Sequence, residues 1–197
     1  MVAPVLIFAI GNESRGDDAL GPLLLRELDA WLAERRTGFT QRVQEPLRGN
    51  PTVGLKPDLQ PHLQVAGDTF EFLEDFQLQV EHAMDMKDRR LVLFIDAGMD
   101  TPAPYSFYRA QANNEPVLYS HALAPEALLK VYEQFYQEAP PDVFVLCIRG
   151  ERFELGEELS PSALEHLAQA LDFSKKLLQN PEIVSWSGLL SCSDAVV

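Results

Sequence analysis

Three short apolar runs constrain this chain more than any other feature: VLIFAI at Val5–Ile10, LVLFI at the start of Leu91–Ala97, and VFVLCI shortly after Pro140-Pro141. Each is apolar over the length of a strand, with no polar residue at alternate positions. That pattern belongs to strands covered on both faces, as in a parallel sheet held between two helical layers. The segments between them recur at helical spacing. Leu20, Leu24, Leu28, Trp31 and Leu32 define an amphipathic helix expected to end near Arg36. PEALLKVYEQFY opens on Pro125 at an N1 position, and SPSALEHLAQALDFSKKLL has Ser160 as N-cap and Pro161 at N1. VEHAMDMKDRR suits a short helix, TFEFLEDF a further strand and YSFYRA an edge strand. Strands alternating with helices imply βαβ units. The expected fold class is α/β, a three-layer αβα sandwich around a mostly parallel central sheet.

The chain has 197 residues, of which 46% are hydrophobic, enough for one well-buried core. Residues 1–180 are expected to form a single domain. Between about 38 and 67, Pro46, Pro51, Pro57 and Pro61 interrupt a stretch with no clear period, which reads as a long loop or partly ordered insertion. The tail at 181–197 also lacks periodicity. Two outcomes stay open for it: a loose end, or a segment whose Trp186 and Leu189-Leu190 dock on the body or on a partner.

The formal net charge of −14 argues against nucleic acid or an anionic membrane as partner, because both are polyanions. It is compatible with a basic protein or a cationic metal. Cys147 lies in an apolar run and reads as a small buried hydrophobe, while Cys192 lies in a polar tail, so neither a disulfide framework nor a zinc-type cluster is expected. MVAPVLIFAI lacks the basic start of a signal peptide, and no apolar run reaches the roughly 20 residues of a membrane helix. These features make a soluble cytoplasmic protein the expectation.

Functional groups in such sheets gather beyond the C-terminal strand ends. The first is IGNESRGDDALGP, Ile10 to Pro22, with three acidic residues and three glycines between a strand and a helix. It resembles a phosphate cradle but is not GxGxxG, and Asp17 and Asp18 stand where a phosphate would need backbone N–H groups. Adjacent residues of a helix point about 100° apart. Only one of the two aspartates can therefore face the crevice, while the other caps or supports the turn. In FIDAGMD, Asp96 ends a buried strand and must be paired, hydrated or ligating. In LYSHALAPE, His121 stands just before a helix. Two carboxylates and an imidazole would make an open three-ligand site for a borderline divalent metal. His62, His82 and His166 are placed less well for it. A serine hydrolase is disfavoured because no serine sits in a GxSxG elbow.

GNESRGDDALGP, FIDAG, SHALAPEALL and IRGERFELGEELS, in this order and spacing, resemble the hydrogenase maturation endopeptidases. The resemblance runs from Val5 to about Leu178, and RGDDALGP with SHAL looks most like the subgroup serving soluble NAD-linked hydrogenases. It implies a protease, in a family often grouped with aspartic proteases, that trims the C-terminal extension of the large-subunit precursor of a nickel-iron hydrogenase. It implies metal-contacting residues at Asp18, Asp96 and His121, with Asp17 supporting, and nickel carried in by the precursor and not held tightly by the free enzyme. Many relatives have Glu where this chain has Asp18. A monomer is favoured. The alternatives are a non-catalytic chaperone that binds nickel or precursor and, in a third class, a nucleotide-binding α/β protein.

Overall fold

The computed structural model describes residues 3–44, 69–112 and 123–190, and of the first helix beyond residue 35 only the backbone. Its sheet has five strands: β1 (Val5–Ile10), β2 (Phe70–Asp75), β3 (Leu91–Gly98), β4 (Tyr105–Arg109) and β5 (Asp142–Arg149). They lie in the order β2-β1-β3-β5-β4. All neighbours are parallel except the edge strand β4, which runs antiparallel to β5. This is the α/β architecture expected from the apolar runs.

The helices are α1 (Leu20–Gln44), α2 (Pro125–Tyr136), α3 (Pro161–Gln179) and α4 (Ile183–Ser187). Alternation along the strands divides the core. Val5, Ile7 and Ala9 join Leu91, Leu93 and Ile95 under the Leu20–Leu24–Leu28 stripe of α1 and the buried face of α3. Leu6, Phe8 and Ile10 join Val92 and Phe94 beneath α2, where Leu128, Leu129 and Tyr132 are buried. Each strand therefore needs apolar residues at consecutive positions, which is why the runs are unbroken.

Two elements depart from the sequence-based expectations. Helix α1 continues past Arg36 to Gln44. Gly38 does not end it, because an interior glycine costs only about 1 kcal/mol; the helix stops two residues short of Pro46, where a proline ring excludes further helix. The segment expected as a short helix forms only a 3-10 turn at Val80–Ala83 followed by irregular turns. Asp88, in the left-handed region at φ 62°, ends them before a stable nucleus can grow. Beyond Asn180, α4 buries Trp186 completely, its indole N–H donating to the Leu177 carbonyl at 3.0 Å and its ring meeting Phe107 and Phe144 edge-on. Leu189 and Leu190 stay exposed. The insertion from residue 45 onward and Cys192 lie outside the described residues.

Candidate functional site

After β1 the chain crosses to β2 on one side, whereas the strands that follow β3 lie on the other. The gap beyond the C-terminal ends of β1 and β3 is thus the switch point at which open α/β sheets bind ligands. The turn after β1 and the end of β3 supply its walls.

Gly11 starts the turn at φ +145°, and a Cβ there would meet the Asp18 carbonyl oxygen at 1.9 Å. Only glycine lets the chain fold back this sharply. The Arg15 N–H donates to the Asn12 carbonyl at 2.9 Å and the Asp18 N–H to the Arg15 carbonyl at 3.1 Å. A 3-10 turn, Gly16–Ala19, then leads into α1. At Gly21 a Cβ would meet the Ile10 and Ile95 carbonyl oxygens at 2.3 and 3.0 Å, so α1 starts directly over the ends of β1 and β3.

The two aspartates of the turn diverge. Asp17 is fully buried and accepts from the backbone N–H groups of Glu151 (2.7 Å), Arg152 (3.0 Å) and Ser160 (2.7 Å) and from the Ser160 hydroxyl (2.7 Å). Burial alone would raise its pKa, but these donors outweigh burial and hold the carboxyl below its ordinary value. Its support therefore extends well past its own turn, to the loop before α3. Asp18 is half-buried, with Oδ2 accepting the Asn12 N–H at 3.0 Å. Burial raises its pKa, against the Asn12 bond and the charge of Arg15.

Asp96, at the end of β3, faces the α2 side of the sheet in alternation with Val92 and Phe94. Its Oδ1 accepts the Ala97 N–H at 2.7 Å. Burial pushes its pKa up to about 6, the Ala97 bond opposes this, and the charge of Asp18 adds to it. The structure thus brings the sequence-predicted Asp18 and Asp96 within electrostatic reach of each other. His121, the third predicted residue, lies outside the described residues, as does His62. Among the described residues no group of three His, Cys, Asp or Glu side chains is placed to hold a metal ion.

Sequence reasoning missed the groups on the β5 side of Asp96. Cys147 is its register partner on β5 and is half-buried, with Sγ 2.8 Å from the Thr101 hydroxyl. Burial chiefly, with a contribution from the Asp96 charge, pushes the thiol to about 11, so it is neutral at physiological pH. Tyr108 donates to Glu126 in the first turn of α2, and its phenol pKa is raised, first by burial and then by the Glu126 charge. The sequence signal for these neighbours is only strand register, which cannot be read without the sheet order.

The remaining histidines are structural. His82 accepts the Gln79 N–H at Nδ1 (3.0 Å), so in its neutral form the proton sits on Nε2, 3.3 Å from Asp75 Oδ2. His166 Nδ1 lies 2.9 Å from the Arg149 carbonyl. A cavity of about 270 Å³, lined by Gly11, Glu13, Pro22, Glu74, Asp75 and Phe76, opens beside the turn and includes neither Asp18 nor Asp96.

Two neighbouring carboxylates that are each disfavoured as anions are stabilised by a shared proton or by a cation placed between them. Near neutral pH a carboxyl of the Asp96 type exchanges its proton readily, as general acid–base chemistry requires.

Neither a protein-family profile nor a curated protein matches the sequence. Solved structures do share the fold. The hydrogenase maturating endopeptidase HybD from E. coli is 19% identical, with a TM-score of 0.57 over 92% of this chain and 94% of that one. The [NiFe] hydrogenase maturation protease HycI from Thermococcus kodakarensis KOD1 is 18% identical, with a TM-score of 0.54 over 90% and 94%. The HybD protease of Thermococcus kodakarensis is 19% identical, with a TM-score of 0.51 over 90% and 99%.

Proposed function

We propose that this chain is an endopeptidase that removes the C-terminal extension of a nickel-iron hydrogenase large-subunit precursor in the cytoplasm. The single observation that carries the reading is the convergence of Asp18 and Asp96 at the switch point of a fold shared with hydrogenase maturation endopeptidases. The motif order GNESRGDDALGP, FIDAG, SHALAPEALL supports the same reading.

The substrate is the precursor already loaded with nickel. Asp18, Asp96 and His121 engage that nickel or its immediate surroundings. Two carboxylates and an imidazole suit a borderline divalent ion and leave positions free for the precursor's own ligands. Binding of this kind would favour the nickel-loaded precursor over the metal-free one, because without the cation Asp18 and Asp96 repel each other in a partly desolvated setting. The substrate-borne metal orients the scissile peptide and polarises its carbonyl or activates a water. The attacking water gives its proton to a carboxylate that the metal does not hold, which passes it to the leaving amine.

The test is cleavage of nickel-loaded precursor by the wild type and by Asp18→Ala, Asp96→Ala and His121→Ala, with the new C-terminus read by mass spectrometry. Each variant is expected to lose at least about a hundredfold in kcat/KM, the scale of a positioned acid–base group. Full processing by all three would overturn the assignment. Wild-type binding without loss of the C-terminal peptide would establish a maturation chaperone instead.

A further inference from the structure

The Gly150–Ser160 loop between β5 and α3 packs on the core through Leu159 at its end, and most of the rest is exposed. Glu151, Arg152 and residues 154–158 are exposed, with Leu155 at 77%. It is nevertheless tied to the first turn along its length. The Asp17 N–H donates to the Arg152 carbonyl at 2.8 Å, the Gly156 N–H to the Ser14 carbonyl at 2.7 Å, and Arg15 Nε to the Phe153 carbonyl at 3.0 Å. At the centre the Asp17 carboxylate accepts the four bonds described above, three of them from backbone N–H groups. Gly150 leaves no space beneath it, since a Cβ there would lie 2.8 Å from the Asp17 Cβ. The Ser160 hydroxyl that donates to Asp17 also accepts the Ala163 N–H at 3.2 Å, so the same contact fixes the start of α3.

A buried carboxylate that accepts four hydrogen bonds, three at Oδ2 and one at Oδ1, narrows the orientations open to its own backbone. Asp18 follows immediately, within the same 3-10 turn, and its carboxylate is held from the other side by the Asn12 N–H. We propose that Asp17 is a positioning residue: its carboxylate templates the β5–α3 loop and, by pinning that loop to the first turn, aims Asp18 into the crevice. This rests on the endopeptidase reading only for the consequence, namely that Asp17 acts on substrate through Asp18.

Two measurements on the full chain test it. Amide hydrogen exchange of the free protein reads the clamp without reference to any activity. In the wild type the amides of Glu151, Arg152 and Ser160 are expected to be protected. In Asp17→Asn they should exchange at least about tenfold faster, and the Asn12 amide that reports on Asp18 should follow, while the amides of β1 and β3 hold their rates. Unprotected loop amides in the wild type, or an unchanged Asn12 amide in the variant, would overturn the proposal whether or not the protein proves to be a protease. The second measurement is the Kd for nickel-loaded precursor in a cycle of Asp17→Asn and Asp18→Asn. The Asp17 change is expected to weaken binding about tenfold alone and less than about twofold in the Asp18→Asn background. Equal losses in both backgrounds, the mark of a merely structural role, would overturn it. If Asp17→Asn does not fold, Ser160→Ala removes one donor of the four and enters both measurements with about a threefold effect expected. Failure of the wild type to bind precursor would count against the endopeptidase reading and leave the exchange result to decide the clamp.

Discussion

Asp17 and Asp18 are neighbours in sequence and opposites in environment. Asp17 is enclosed beneath the β5–α3 loop, fully buried, with four donors converging on it and its pKa lowered. Asp18 is half-buried and within electrostatic reach of Asp96, and both have raised pKa values. The contrast shows that burial does not by itself decide the charge of a carboxylate. Desolvation pushes all three upward, and only the number of hydrogen-bond donors reverses the sign at Asp17. The closed niche stabilises an anion as part of the fold, whereas Asp18 and Asp96, with one backbone donor each, stay disfavoured as anions and open to a proton or a cation.

The two regions should therefore answer pH and mutation in opposite directions. The largest effect is expected for Asp17→Asn, which turns an amide group toward N–H donors and should cost about 3 kcal/mol at pH 7 in urea denaturation. A lowered folded pKa contributes stability that is present above the unfolded value of 3.8 and lost as pH falls through the folded one, so wild type and variant should converge below pH 3.8. A loss under about 0.5 kcal/mol, within the range of an ordinary surface change, would erase the contrast.

Asp96→Asn should have the opposite sign. With a folded pKa of about 6 against 3.8, the folded state binds the proton more tightly, and stability declines as pH rises between those values. At pH 8 the variant should be more stable than the wild type by about 1–3 kcal/mol, and at pH 4 the two should nearly coincide. Destabilisation at pH 8 would mean that Asp96 has a partner the contrast leaves out.

The smallest of the three is Ser160→Ala. It removes one of the four Asp17 donors and the side-chain cap of α3, and should lower stability by about 1 kcal/mol in thermal or chemical unfolding. An effect as large as that of Asp17→Asn would show the hydroxyl, and not the three N–H groups, to be the main support of the buried carboxylate.

Much of the architecture was legible because its causes are local or periodic. VLIFAI, LVLFI and VFVLCI are apolar at both parities and do form β1, β3 and β5, buried on two faces. Ser160 and Pro161 cap and start α3 as their chemistry requires. Pro125 likewise opens α2. Helix α1 runs past Arg36 because the fading of its apolar period there does not forbid helix, whereas the approach to Pro46 does. Trp186 was visible as a docking candidate, but nothing in a short aperiodic segment says that Phe107, Phe144 and the Leu177 carbonyl form its seat.

At the site, residue types and spacing singled out the GDDA turn and Asp96, and the rotation between adjacent helical residues required the two aspartates of the turn to part. Those conclusions follow from covalent geometry and local propensity, which the sequence determines by itself. Which aspartate faces inward, and toward what, was decided by tertiary structure. The partners of Asp17 are 134 to 143 residues away along the chain, and Cys147 meets Asp96 only through the register of β3 with β5. The opposite charge preferences of two adjacent aspartates come from those distant donors, because desolvation and hydrogen bonding are properties of the folded surroundings and not of the side chain that carries them.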